Sequence, residues 1–117
     1  MISSDPILVL MTAASGDEAN RIAEMLVDKR LAACVQILPG IRSVYRWKDK
    51  VQRESELLLL AKTTRARFDE LDRAVRKIHS YETPEIVALP ITSASEPYLR
   101  WLQGEVQPRL SFDSNKS

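Results

Sequence analysis

The 117-residue chain has one histidine, one cysteine and three glycines, and each scarcity removes a class of function. One cysteine cannot close an intrachain disulfide, which fits a reducing compartment. With a single histidine, no Gly-rich phosphate loop and no GxSxG elbow, there is no nucleophile–base constellation, and an enzyme is the least favoured reading. Acids and bases nearly cancel, 16 against 17 for a formal net charge of +1, so neither a nucleic-acid footprint nor a polybasic membrane patch is expected. No segment approaches the ~20 apolar residues of a membrane span. The opening Met1-Ile2-Ser3-Ser4-Asp5-Pro6 carries an acid and no base, unlike a secretory signal. These absences point to a cytoplasmic protein with no nucleic acid and no membrane among its partners. What is present, 44% apolar and 28% charged residues, is ordinary globular composition at a one-domain length. We expect one domain over residues 1–110 and a disordered tail over 111–117.

The most informative stretch runs from residue 33 to residue 62. It reads as two extended arms meeting at a polar corner, Lys48-Asp49-Lys50, with Ile41, Val44, Tyr45 and Trp47 on the first arm. The corner lacks the glycine of a tight two-residue hairpin, so a connection of about three to five residues is expected. If residues 51–62 form one strand, it spans roughly 40 Å at about 3.3 Å per residue. A compact chain of this size has a radius of gyration of about 13 Å and a diameter of roughly 35 Å. The hairpin should therefore overhang its own domain, and unpaired edges with Tyr45 and Trp47 near the tip call for cover by another subunit.

Taken in order, residues 7–13 (Ile-Leu-Val-Leu-Met-Thr-Ala) are a continuous apolar run, the pattern of a strand central in a sheet. Ser15 and Glu18 form a capping box for a helix whose apolar face is Ala19, Ile22, Ala23, Leu26 and Val27. Pro39-Gly40 should kink the first hairpin arm, which makes that arm an edge strand. Burial should deepen along the second arm toward Ala61. Thr64 is placed to cap a second helix carrying Phe68, Leu71, Val75 and Ile78, ending near His79. A short strand over residues 85–89 lies between Pro84 and Pro90, and Ser93 with Glu96 should box the start of a brief last helix. The order β, α, β, β, α, β is that of the ferredoxin-like α+β sandwich, a four-stranded antiparallel sheet with two helices on one face.

Two sets of residues carry candidate chemistry. His79, Cys34 and Met11 offer an imidazole, a thiolate and a thioether, a soft set suited to Cu(I), and form a site only if the fold converges them. Singly, Cys34 and Met11 read as core residues and His79 as a helix-terminal residue. Tyr81, Glu82 and Glu85 lie in the loop entering the fourth strand, where functional side chains collect, and can line a cleft. Lys62, Tyr45 and Trp47 join that candidate cleft, although the two aromatics also read as packing anchors.

Leu31-Ala32-Ala33-Cys34-Val35-Gln36-Ile37-Leu38-Pro39-Gly40, the triplet Tyr45-Arg46-Trp47, residues 56–64 ending Ala-Lys-Thr-Thr, Tyr81-Glu82-Thr83-Pro84-Glu85-Ile86 and Tyr98-Leu99-Arg100-Trp101 together resemble the CutA divalent-cation tolerance family. The resemblance implies a ferredoxin-like fold, a tight homotrimer similar to the PII signalling proteins, and a link to tolerance of copper and other divalent cations. It also implies a metal site with a Cys at the end of the first strand and a His pair before the Tyr-x-Thr-Pro-Glu motif. Here those positions hold Met11 and Ile78-His79, which favours weak copper binding at most. The expectation is a non-enzymatic cytosolic homotrimer. Its rival is a PII-like trimeric module that binds a small molecule at intersubunit clefts without chelating metal.

Overall fold

The apolar run forms β1 (Pro6–Ala13), central in the sheet with a strand hydrogen-bonded on each side, but within the single chain only one of its faces is fully buried: Ile7, Val9 and Met11 are covered while Leu8 and Leu10 are half-buried. The computed structural model describes residues 3–108; the expected tail over 111–117 lies outside the described residues. After β1 come α1 (Gly16–Asp28), β2 (Cys34–Trp47), β3 (Lys50–Thr64), α2 (Phe68–Ile78), β4 (Ile86–Pro90) and α3 (Glu96–Glu105). The strands build one sheet in the order β2-β3-β1-β4, with every neighbouring pair antiparallel. This is the ferredoxin-like βαββαβ arrangement with a short helix appended.

One face of the sheet carries the core. Ile7, Val9, Met11, Leu59 and Ala61 are buried against Ala19, Ile22 and Leu26 of α1 and Leu71 and Val75 of α2. At the start of α1 the Ser15 hydroxyl accepts the Glu18 amide, the first half of a capping box. The apolar stripe is narrower than expected, because Val27 is 45% exposed and burial stops at Leu26. Thr64 makes no side-chain cap; the chain turns through a 3-10 segment, Arg65–Arg67, before α2 begins. Nor does the Ser93–Glu96 box form. Ser95 is the N-cap of α3, and Pro97 in the first turn is pre-set for a helix start, so the backbone fixes the boundary without a side-chain cap.

The opposite face alternates in register with the core face. Cross-strand pairing aligns Leu89, Leu8 and Lys62 with Cys34, and Val87, Leu10 and Leu60 with Gln36. Covering this face at one end, α3 and the residue that caps it bury Leu102 and Val106 beside Ala33. The remainder is open, with Leu38, Val87 and Leu89 exposed.

The hairpin departs from expectation at its tip. Trp47 pairs with Lys50, leaving a two-residue turn in which Lys48 and Asp49 both take positive φ, 50° and 64°. Those are the signs of a type I′ turn. The long ladder behind the turn imposes the register, and two residues without glycine's freedom adopt it. At Pro39-Gly40 the strand stays continuous but carries one residue more than its partner, since Leu38 pairs with Leu58 and Ile41 with Glu56. The expected kink is thus a β-bulge on an edge strand, with Gly40 at φ +76°. The last β1–β3 pair is Ala13 with Leu57, so residues 50–56 run beyond the sheet centre and the molecule measures 51 × 32 × 26 Å.

A methyl group at Gly40 would meet no atom within 4 Å, so Gly40→Ala isolates the backbone strain. We expect it to lower stability by about 1–2 kcal/mol, measured as the denaturant midpoint at fixed protein concentration; an unchanged midpoint would contradict the assigned bulge.

Candidate functional site

The segment joining α2 to β4, residues 79–85, must cross the end of β1, and buried polar groups hold it there. His79 caps α2 and its ring is fully buried. The Tyr81 amide donates to Nδ1 at 3.0 Å, which puts the ring proton on Nε2, 2.7 Å from the Thr12 carbonyl oxygen. Glu18 reaches across from α1. Its carboxylate accepts from the Ser80 amide at 2.7 Å, the Ser80 hydroxyl at 3.1 Å and the Ala14 amide at 3.1 Å. Burial alone would raise the Glu18 carboxyl, but these donors and the adjacent imidazole outweigh it and hold it below the ordinary carboxylate value.

Pinned in this way, the segment delivers Tyr81 to the hairpin. The Tyr81 hydroxyl donates to Glu56 Oε2 at 2.8 Å, and Glu56 is only 5% exposed. Between segment and hairpin lies a cavity of about 700 Å³, walled by Tyr45 and Trp47 of β2, Glu56 of β3, and Tyr81, Glu82 and Glu85. Burial first, then the bond to Glu56 and its charge, push the Tyr81 phenol far above its usual range. Partial desolvation and the nearby Glu54 and Glu56 raise Tyr45 as well. Of the two phenols, Tyr81 is the one that donates to a carboxylate, that of Glu56.

The bulge at Gly40 is what puts the aromatics here. Side chains alternate between faces, and the extra residue sets Ser43, Tyr45 and Trp47 opposite Glu54, Gln52 and Lys50, on the same face as Glu56 and Leu58.

Five of the sequence candidates, Tyr45, Trp47, Tyr81, Glu82 and Glu85, thus meet in one cavity. Lys62 does not join them. It sits at the other end of that face, donating to Gln36 Oε1 at 2.9 Å with its ammonium 5.7 Å from the Tyr98 ring centre. The soft-ligand set does not assemble either. Met11 is fully buried on the helix-covered face, whereas Cys34 is half-buried on the opposite face, in register with Lys62. Both ring nitrogens of His79 are engaged. Among the described residues no group of three or more His, Cys, Asp or Glu side chains is disposed to hold a metal ion, so these residues do not fit a preformed copper centre. Two site residues escaped the sequence reading. Glu56 has the strand parity of Leu58 and Leu60, on the face opposite the helices, so its alternation with Leu57 and Leu59 gave no sign that it would be buried; Glu18 looked complete as a local cap, and its partner Ser80 is 62 residues away.

Fold and site define a ferredoxin-like α+β domain with an overhanging hairpin and an acidic, aromatic cleft along it. Residues 7–105 match the sequence model of the CutA1 divalent ion tolerance protein family, and the chain belongs to that family. It is 50% identical over 96 residues to the divalent-cation tolerance protein CutA of Thermus thermophilus, covering 82% of this chain and 93% of that protein. It is 43% identical to the chloroplastic protein CutA of Arabidopsis thaliana over 86% of this chain, but spans only 56% of that longer relative. The solved structure of the Thermus thermophilus divalent cation tolerance protein superposes with a TM-score of 0.85 at 47% identity, covering 87% of this chain and 99% of that one.

Because the folded-state pKa of Glu18 lies below the ordinary 4.5, its ionised form stabilises the fold, fully so above that value and less as pH falls through it. The melting-temperature advantage of the parent over Glu18→Gln should therefore be full at neutral pH and shrink between about pH 5 and pH 3. A difference independent of pH would refute the tie.

Proposed function

We propose that the chain acts in tolerance of divalent cations, copper among them, as a cytosolic homotrimer that makes at most weak contact with metal. The relatives named above carry divalent-cation tolerance or CutA in their names, and this role follows from kinship with them. The observation that carries the assembly is the sheet face opposite the helices, where Leu8, Leu10, Leu58, Leu60, Val87 and Leu89 form one apolar surface that α3 covers only at its end. A surface of that kind favours a protein interface. The overhanging hairpin favours it too, since its free edge and apolar tip gain most from a neighbour.

Metal contact in this reading belongs to His79, Cys34 and Met11 one at a time. The three do not converge on one ion, because Met11 and Cys34 occupy opposite faces and His79 would have to give up a hydrogen bond. No catalytic step is part of the proposal, since the one histidine is spent on structure. No helix among the described residues is long and apolar enough to cross a membrane.

Light scattering should give a mass of three 13.3-kDa chains. Leu10→Arg, which sets a charge in the middle of the open face, should give a folded monomer; a monomeric parent would sink the assembly. Chelator competition with Cu(I) and Cu(II) on the same sample should show binding weaker than micromolar. Sub-micromolar binding at one ion per chain, lost in His79→Ala, would overturn the weak-contact reading.

A further inference from the structure

We propose that the cleft between the hairpin and residues 79–85 binds a small organic cation, an amine or quaternary ammonium, with Glu56 as its charge partner. The proposal requires that the cleft stay open to solvent when the chains assemble. Its first support is the composition of the walls. Three carboxylates, Glu56, Glu82 and Glu85, and three aromatic rings, Tyr45, Trp47 and Tyr81, face a cavity whose lining includes no Lys, Arg or His. Carboxylates set a negative potential, and ring faces attract ammonium groups, so the cleft selects cations and repels anions. Its volume of about 700 Å³ suits a small molecule rather than a bare ion.

The second support is the state of Glu56. The residue is 5% exposed, yet among the described residues its only hydrogen bond is the one its Oε2 accepts from Tyr81, and it makes no salt bridge to a basic side chain. A carboxylate taken out of water without a counter-charge is unfavourable, and a cation entering the cleft supplies one. Glu18 shows what a completed carboxylate looks like in this fold, with three donors and an imidazole beside it. Glu56 has one donor and an open cavity.

The same geometry argues against a divalent metal as the occupant. Hard divalent cations want about six to eight oxygen ligands, whereas three of the residues lining this cleft present aromatic rings, and among the described residues no three His, Cys, Asp or Glu side chains are disposed to hold a metal ion. The cleft is also held open before any ligand arrives. Glu18, Ser80 and His79 pin the backbone that carries Tyr81, so little ordering remains to oppose binding.

The test is calorimetric titration of the full chain with choline and with its uncharged carbon isostere, 3,3-dimethylbutan-1-ol, with light scattering on each sample. Choline should bind and the isostere should not. Glu56→Gln, which keeps an acceptor for Tyr81 and removes the charge, should weaken choline binding by about tenfold or more, equivalent to about 1.4 kcal/mol. Trp47→Leu, at a 40% exposed position, should weaken it too, and carries the test if Glu56→Gln does not fold. Equal binding of choline and isostere, no binding of choline at millimolar concentration, or choline binding unchanged in both variants would each overturn the proposal. So would a change in oligomeric mass in Glu56→Gln without cation binding, which would assign the counter-charge to a lysine or arginine of a second copy.

Discussion

At Gly40 the edge strand β2 takes a left-handed step, and from there each of its residues meets β3 one position later than the first half of the strand would dictate. Because side chains alternate between faces, one inserted residue exchanges the two faces for everything beyond it. Cys34, Gln36 and Leu38 before the bulge therefore share a face with Ile41, Ser43, Tyr45 and Trp47 after it. Without the bulge, Tyr45 and Trp47 would project from the helix side of the overhanging arm, away from Glu56, and the cleft would lose two of its walls. Gly40 is where that step is least strained, and an edge strand is where an unpaired residue disturbs fewest hydrogen bonds.

Two nearly buried carboxylates show how much environment decides. Glu18 and Glu56 are 3% and 5% exposed, and each reaches the segment between α2 and β4. Glu18 is surrounded by N–H and O–H donors, so ionisation suits the folded state and the residue works as a clamp. Glu56 receives one phenol, that of Tyr81, whose own pKa is pushed up by burial first and then by this bond. The first carboxylate is finished by the fold. The second is left with capacity to accept, next to open space.

Much of this was readable from local pattern. The apolar run of β1, the Ser15 cap, the two long arms, the proline-glycine interruption and the βαββαβ order each follow from spacing over a few residues, and each is found in the structure. The cleft was visible in part, because Tyr81, Glu82 and Glu85 cluster in sequence and Tyr45 and Trp47 announce a tip too apolar for water. What escaped depends on register or on distant partners. Whether Cys34 and Met11 share a face is fixed by pairing, not by either neighbourhood, and Lys62 lies further along its strand than the cleft extends. The tip turn and the start of α3 misled for a related reason. Local chemistry favoured a glycine turn and a Ser93 box, while the ladder behind Trp47 and the proline at position 97 overrode those preferences.

The open apolar face and the cleft lie on the same side of the sheet, and their residues are continuous. Thr12 lines the cleft and pairs with Leu58, which in turn pairs with Leu38 on the exposed surface. A subunit seated on that surface would border the cavity, so a ligand inside would meet a different wall in the assembled and the separated chain. Two binding events that share a border are linked: whatever free energy the neighbour adds to the ligand, the ligand returns to the assembly. On the readings proposed here, cation occupancy of the cleft and association of the sheets are therefore one coupled equilibrium, and the rigid tie from Glu18 through Ser80 to Tyr81 is the element through which the helical layer supports both.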